Sequence, residues 1–298
     1  MHYRVRHITR VTYAGEVRLA RFNLRLRPAH WPGQQIADYR LRIDPRPTTI
    51  ASDTGPFVVN RSHLTIREPL TELTIESRFT ATVADHPPVA ADDPGPTLAD
   101  IRETALTVPD LSALGPAAYL FASPIAAPVP AIARWAARLP AADTILTFAH
   151  TLTAATHAHF TYDDTATRAD TPPAEAFITA RGVCQDFAHV MIVAARALGI
   201  PAAYVSGYLR TLPPPGQPRL IGADAMHAWV ALWCGEQLGW IGFDPTNNAL
   251  CGGDYIVVGM GRDYADVAPI DGVFFGGGGQ QMEVSVDVEE IAEEVEEG

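Results

Sequence analysis

The sequence predicts an α+β protein, with an antiparallel, β-sandwich-like N-terminal domain followed by a core in which one amphipathic helix packs on an antiparallel sheet. Three observations predict it. Residues 2–83 read as short alternating segments separated by turn signals. Residues 84–140 are dense in Pro. From Ala141 onward a helical pattern gives way to strands. At 298 residues the chain is long enough for one large domain or two ordinary ones. The boundaries read as 1–83 for the β domain, 84–140 for a Pro-rich helical connector, 141–288 for the core and 289–298 for an acidic tail.

In the first region, His2–Tyr13 and Glu16–Arg27 alternate, with Ala14-Gly15 read as a turn between them. Tyr39–Ile43, Phe57–Asn60, His63–Ile66 and Leu73–Val83 follow, broken by Asp-Pro, Thr-Gly-Pro and Glu-Pro steps. Short helices such as Ala131–Leu139 fit between the prolines of the connector. Beyond it, Thr144–His159 and Pro172–Ala180 read as helices, the first capped by Asp143 or Thr144. The clearest helix is Gly182–Leu198. Its Phe187, Val190, Met191, Ala194 and Leu198 form one apolar stripe, and Gly199 and Pro201 stop it. Strands are expected at Ala202–Leu209, Tyr255–Gly259, Gly272–Phe275 and Met282–Val288, with a hairpin from His227–Cys234 and Gly239–Asp244.

Charge and composition exclude several function classes. All 22 basic residues are Arg, so mechanisms that need a protein lysine are ruled out. Three Cys cannot build a disulfide framework or a four-thiolate zinc site. Residues 1–78 carry a net charge of +6 and residues 79–298 a net of −18. The basic end reads as strands with solvated Arg faces, because no nucleic-acid motif accompanies the charge. The acidic run within Glu283–Glu297 reads as a frayed tail. Apolar runs are too short to span a membrane, and MHYRVRHITRVTY has no apolar leader segment, so the expected location is the cytoplasm.

The chemistry concentrates around Cys184, at the start of the amphipathic helix in Arg181-Gly182-Val183-Cys184-Gln185-Asp186-Phe187. A helix N-terminus favours a thiolate and offers N–H groups to an oxyanion. The alternative is a buried structural thiol, although Cys is not a favoured first-turn residue. Cys234 and Cys251 lack such a setting. A thiol nucleophile needs a base, and the base an orienting partner. His189 points away round the helix. His150, His157 and His159 share one helix, but no carboxylate spacing supports a metal there. His227 is the candidate base. A tight turn at Gly235-Glu236 would set His227 directly opposite Asp244, Trp229 opposite Gly242 and Ala231 opposite Trp240. The carboxylate can then hold one imidazole nitrogen and leave the other for the thiol. A surface His–Asp pair of no consequence is the alternative.

These segments resemble the transglutaminase-like superfamily of papain-type thiol enzymes. Gly182-Val183-Cys184-Gln185-Asp186-Phe187-Ala188, His227-Ala228-Trp229-Val230 and Trp240-Ile241-Gly242-Phe243-Asp244-Pro245-Thr246 stand in that family's order. The N-terminal β region and the segment Gly261-Arg262-Asp263-Tyr264-Ala265-Asp266-Val267 look like its bacterial branch. The resemblance implies a papain/transglutaminase-like core, with Cys184 as nucleophile, His227 as base and then acid, and Asp244 as the residue orienting His227. A second oxyanion donor is not identified, since no Gln stands shortly before Cys184. Gln185, Asp224 and Trp229 are candidates for substrate contact. The expected activity is cysteine-dependent acyl transfer on a peptide or carboxamide bond, resolved by water. Capture by an amine, as in a true transglutaminase, and peptide binding without turnover are the alternatives. A peptide or protein substrate is expected, with no cofactor, metal, nucleic acid or membrane partner.

Overall fold

The computed structural model describes residues 1–84, 95–211 and 226–291. Its elements, in chain order, are β1 (His2–Leu24), β2 (Gln34–Asp44), β3 (Thr49–Thr54), β4 (Asn60–Ile66), β5 (Leu70–Val83), α1 (Leu98–Thr104), α2 (Pro130–Ala136) and α3 (Ile145–His159). Then come β6 (Thr161–Tyr162), α4 (Pro173–Thr179), β7 (Arg181–Gly182), α5 (Cys184–Ala197), β8 (Ala202–Leu209), β9 (Met226–Trp233) and β10 (Trp240–Asp244). The chain continues with β11 (Ala249–Leu250), β12 (Tyr255–Gly261), α6 (Tyr264–Val267), β13 (Ile270–Gly276) and β14 (Gln280–Glu290). The α+β class and the helix-on-sheet core stand as the sequence predicts.

The first sheet is organised by β1. Its residues alternate between buried and exposed, so one face is apolar from Tyr3 to Leu24. Where a turn at Ala14-Gly15 was expected, the chain runs on as one strand. Both flanking ladders change register there instead. β5 shifts between partners of Thr12 and Val17, and β13 gives way to β14 across residues 276–280, so β1 bends without reversing. One edge of β1 carries β4 and β5, and β2 and β3 lie beyond them. The other edge carries β13 and β14. Val11, Leu73 and Ile75 from one half and Phe22, Leu24, Leu64 and Ile66 from the other form one buried cluster, which gives the unit its layered character.

The position of β13 and β14 departs from the sequence reading. Strands were expected at Gly272–Phe275 and Met282–Val288, and both exist, but they were assigned to the core, and residues 289–298 to an acidic tail. Both strands instead pair with β1, and β14 remains in register to Glu290, opposite Tyr3. The cause is apolar alternation. Val286 and Val288 bury completely against Tyr3, Val5 and Phe79, while the acids between them face Arg residues of β1. The residues beyond Ile291 lie outside the described ones.

The second sheet has the order β11-β10-β9-β8-β12. Helix α5 packs its apolar stripe on the face formed by Ala228, Val230, Leu232 and Phe243, and α2, α3 and α4 close over it. Gly199 lies in the left-handed region at φ 75° and ends α5 as expected. No described helix is long and apolar enough to cross a membrane.

Candidate active site

Cys184 is the first residue of α5, half-exposed where β7 delivers the chain into the helix. Its setting is built by Asp186. The buried carboxylate folds back, and Oδ2 accepts the Val183 N–H at 2.8 Å and the Thr167 hydroxyl at 2.6 Å. Burial pushes this carboxyl up from its ordinary range, against those hydrogen bonds. Gly182 makes the fold-back possible, because a Cβ there would lie 2.4 Å from Asp186 Oδ2. That is a different reason for Gly182 from close approach by a substrate.

His227 is the second residue of β9, at the margin of the sheet near the α5 N-terminus. Its Nε2 lies 2.7 Å from Asp244 Oδ2, the last residue of β10. The other ring nitrogen, Nδ1, makes no bond to Asp244, and the Cys184 thiol is close enough for its charge to act on the ring. Burial alone would lower the imidazole pKa. The bond to Asp244 and the charges of Asp244 and the neighbouring Cys184 outweigh it and raise the value to about 10. Asp244 is fully buried and still held below its usual range. Burial opposes its charge, but His227, Asn247 and Tyr255 all donate to it. Its Oδ1 accepts the Thr246 and Asn247 N–H groups at 2.8 and 3.2 Å, and its Oδ2 accepts Asn247 Nδ2 at 2.7 Å and Tyr255 Oη at 2.9 Å.

The strand register differs from the expected one by two residues. Trp240 pairs with Trp233 and Gly242 with Ala231, so Asp244 sits diagonally across from His227. The turn is longer than expected. Cys234 N–H donates to the Gly239 carbonyl at 2.7 Å, and Gly235 and Gly239 both adopt positive φ. A shift of two keeps every side chain on its face, so the His–Asp contact survives where a shift of one would have destroyed it.

The other expected residues have separate fates. Trp229 is buried, stacks on His227 at 6.2 Å between centroids and meets Tyr255 edge-on at 5.3 Å. Its position is that of a wall behind the imidazole. Gln185 donates to the Ala169 carbonyl at 2.8 Å and so anchors the loop before α4. Arg181 pairs with Asp163 at 2.5 Å. Asp224 and the loop Leu212–Pro218 lie outside the described residues. His189 is buried beneath Tyr264, whose N–H it accepts at 3.2 Å. His157 contacts the Thr246 carbonyl, His159 the Phe177 carbonyl, and His150 meets Phe243 edge-on. Cys234 and Cys251 are buried thiols pushed well above their ordinary pKa by burial.

Three residues were missed. Asn247 and Tyr255 hold Asp244, and Tyr162, in the strand paired beside Gly182, neighbours the Cys184 thiol. Asn247 carried only a weak signal, as the third residue after an Asp that opens a Pro-containing turn. Tyr255 and Tyr162 carried none, since both contacts join segments distant in sequence.

Comparison with known proteins places this arrangement. The model of the transglutaminase-like superfamily matches residues 133–245, and that of the bacterial transglutaminase-like N-terminal region matches residues 3–82. An uncharacterized protein of Mycobacterium tuberculosis is 36% identical over 300 residues, spanning 96% of this chain and 92% of its own. A protein-glutamine gamma-glutamyltransferase of Pseudomonas aeruginosa is 41% identical over 88 residues, which is 29% of this chain and 13% of that one. Among solved structures, a candidate cysteine protease from Cytophaga hutchinsonii shares the fold at a TM-score of 0.68 and 20% identity, covering 98% of this chain and 92% of its own. Two family models in tandem and full-length similarity to the mycobacterial protein agree with the helix-borne thiol and the strand-borne His–Asp pair: the chain belongs to the transglutaminase-like superfamily, in the bacterial group that carries an N-terminal β region.

Proposed function

We propose that the protein is a thiol hydrolase that cleaves a peptide or carboxamide bond through a thioester on Cys184. The observation that carries this reading is the placement of Cys184 at a helix N-terminus beside an imidazole whose other nitrogen is held by Asp244 at 2.7 Å. Transfer of the thiol proton to His227 gives a thiolate–imidazolium pair, and the raised imidazole pKa favours that charge-separated form. The thiolate adds to the carbonyl carbon, and N–H groups at the start of α5 stabilise the oxyanion. As the tetrahedral intermediate collapses, the C–N bond breaks and His227 delivers its proton to the departing amine. Water, deprotonated by His227, then attacks the thioester. The acid leaves and the thiol is restored.

Amine capture of the same thioester is the second reading. The partial similarity to the Pseudomonas gamma-glutamyltransferase favours keeping it. The chain has no lysine, so whichever acceptor is used, the enzyme cannot crosslink itself through a side-chain amine. The test is mass spectrometry after treatment with an active-site thiol probe. Labelling should fall on Cys184 and vanish in Cys184→Ala, while labelling confined to other thiols would overturn the reading. A glutamine-containing peptide, incubated with and without a primary amine, then separates hydrolysis from transfer by product mass.

A further inference from the structure

Tyr255 joins the candidate site to a strand that the N-terminal region holds. It is the first residue of β12, the outer strand of the second sheet. Toward the site, its hydroxyl donates to Asp244 Oδ2, the same oxygen that holds His227 Nε2 and Asn247 Nδ2. Away from the site, β12 is fastened by the N-terminal region. Val58 bridges Met260, with the Met260 N–H donating to the Val58 carbonyl at 2.9 Å, and the Ala29 N–H donates to the Val258 carbonyl at 2.9 Å. The Gln34 side chain behaves as a strand partner. Its Nε2 donates to the Val257 carbonyl and its Oε1 accepts the Val257 N–H, both at 2.8 Å. Asp254, just before Tyr255, accepts the Tyr3 hydroxyl at 3.0 Å. An outer strand alone would fray, whereas this one is paired along its free edge.

We propose that Tyr255 is a positioning residue that tunes His227 through Asp244, and that the N-terminal domain serves the reaction by holding Tyr255 in place. The proposal rests on the acyl-transfer reading above. Its chemistry is competition for one oxygen. Each donor on Asp244 Oδ2 takes a share of the carboxylate charge, and so weakens the hold of that oxygen on the imidazolium proton. A His227 held too strongly would keep the proton that the leaving amine needs. Tyr255 suits this task because burial and the Asp244 charge keep its hydroxyl protonated, so it remains a donor. Among the described residues, the titratable groups facing His227 are Cys184 of α5, Asp244 of β10 and Tyr255 of β12, whose ring centroid lies 6.4 Å from the imidazole; the buried Cys251 thiol lies near Asp244.

The test is the pH profile of Cys184 alkylation by iodoacetamide, followed by mass spectrometry on the full chain. A thiolate–imidazolium pair gives two steps, and the upper one reports loss of the His227 proton. In Tyr255→Phe, which keeps the ring against Trp229, the upper step should rise by about half a pH unit. Asn247→Ala removes the other competing donor from an exposed position, so it folds in any case, and it should shift the same step in the same direction. Gln34→Ala should reproduce part of the Tyr255→Phe shift from the far edge of β12. A lowered unfolding midpoint with the upper step unmoved in Tyr255→Phe and Asn247→Ala would mean that the contacts are merely structural, and overturns the proposal. A shift in those two variants but none in Gln34→Ala overturns the role given to the N-terminal domain. If wild-type Cys184 instead shows one step like a free thiol, the acyl-transfer reading itself fails, and this proposal with it.

Discussion

The two sheets are both antiparallel, but they are assembled from different distances along the chain. In the second sheet, which carries the candidate site, β8, β9 and β10 are neighbours in sequence and in space, and β12 returns to pair with β8. In the N-terminal sheet, β1 lies between strands drawn from residues 60–83 on one edge and 270–290 on the other. The first arrangement can be argued from turns and local alternation. The second closes a loop over nearly the whole chain, so its ladder forms only when both termini meet. The N-terminal sheet is therefore built from both early and late segments, and the second sheet lies in sequence between the strands that flank β1.

The most severe way to break this comparison is truncation. Ending the chain after Ala268 removes β13 and β14 and uncovers one full edge of β1, together with the buried Tyr3, Val5 and His7. The truncated protein should lose hydrogen-exchange protection throughout residues 2–24 and precipitate. Equal protection with and without residues 269–298 would show that the N-terminal sheet stands alone.

Within the second sheet, the largest effect belongs to Asp244. Asp244→Asn keeps the shape of the site but presents an amide to His227 Nε2, so the imidazole loses its orienting charge. Turnover should fall about 10³–10⁴-fold, and the unfolding midpoint should fall with it, because the buried amide N–H group meets donors where the carboxylate accepted. Gly182→Ala comes next. The added methyl collides with Asp186, which must surrender its bond to the Val183 N–H. A loss of about 1–3 kcal/mol in urea unfolding is expected, with slower labelling of Cys184.

A third effect acts on both sheets at once. His7 lies between them, with Nδ1 2.9 Å from the Tyr208 hydroxyl, and His189 lies under α6. Burial lowers each pKa from 6.5 to about 4. Each binds its proton more readily when unfolded, so stability falls as pH drops from about 6.5 to 4, by up to roughly 3 kcal/mol per group. His227 has the opposite sign. Its raised folded pKa stabilises the protein below the unfolded value, and that contribution fades as pH climbs toward 10. Urea titrations at pH 7 and pH 4.5 should show the acid loss, and His7→Asn should remove about half of it. An unchanged acid slope in that variant would assign the effect elsewhere.

What the sequence made legible follows the same division. The helix bearing Cys184, the strands bearing His227 and Asp244, and the stop at Gly199 are local patterns, and each was read within a residue or two. The His–Asp contact was read from the wrong register but the right parity, because the turn from Cys234 to Gly239 is longer than a two-residue hairpin and shifts pairing by an even number. Tyr255 and the Gln34 strap were not legible, since each depends on which segment lands beside Asp244 or β12, whereas Asn247 was weakly legible as part of the turn that Asp244 opens. The strand over Met282–Val288 was legible from its alternation, but its partner was not, because pairing with β1 joins opposite ends of the chain. Only its last acids, Glu289 and Glu290, were assigned to a solvated tail, and they belong to the same ladder.

The acids of β14 supply the smallest effect and the finest test of the comparison. Arg4 faces Glu289, Arg6 faces Asp287 and Arg10 faces Glu283, so opposite charges from the two ends of the chain meet along one ladder. Arg4 and Glu289 are 3.0 Å apart, with side chains 61% and 54% exposed, and exposed pairs contribute little individually. Glu289→Gln should therefore cost well under about 1 kcal/mol, and 1 M salt should erase the difference. Placing Arg at 283, 287 and 289 together sets like charges opposite each other on every row, and should cost more while remaining salt-sensitive. If Glu289→Gln alone proved as damaging as truncation, the ladder would be held by charge. The burial of Val286 and Val288 argues the reverse: apolar contact fixes β14 against β1, and the opposed charges select the register in which that contact is made.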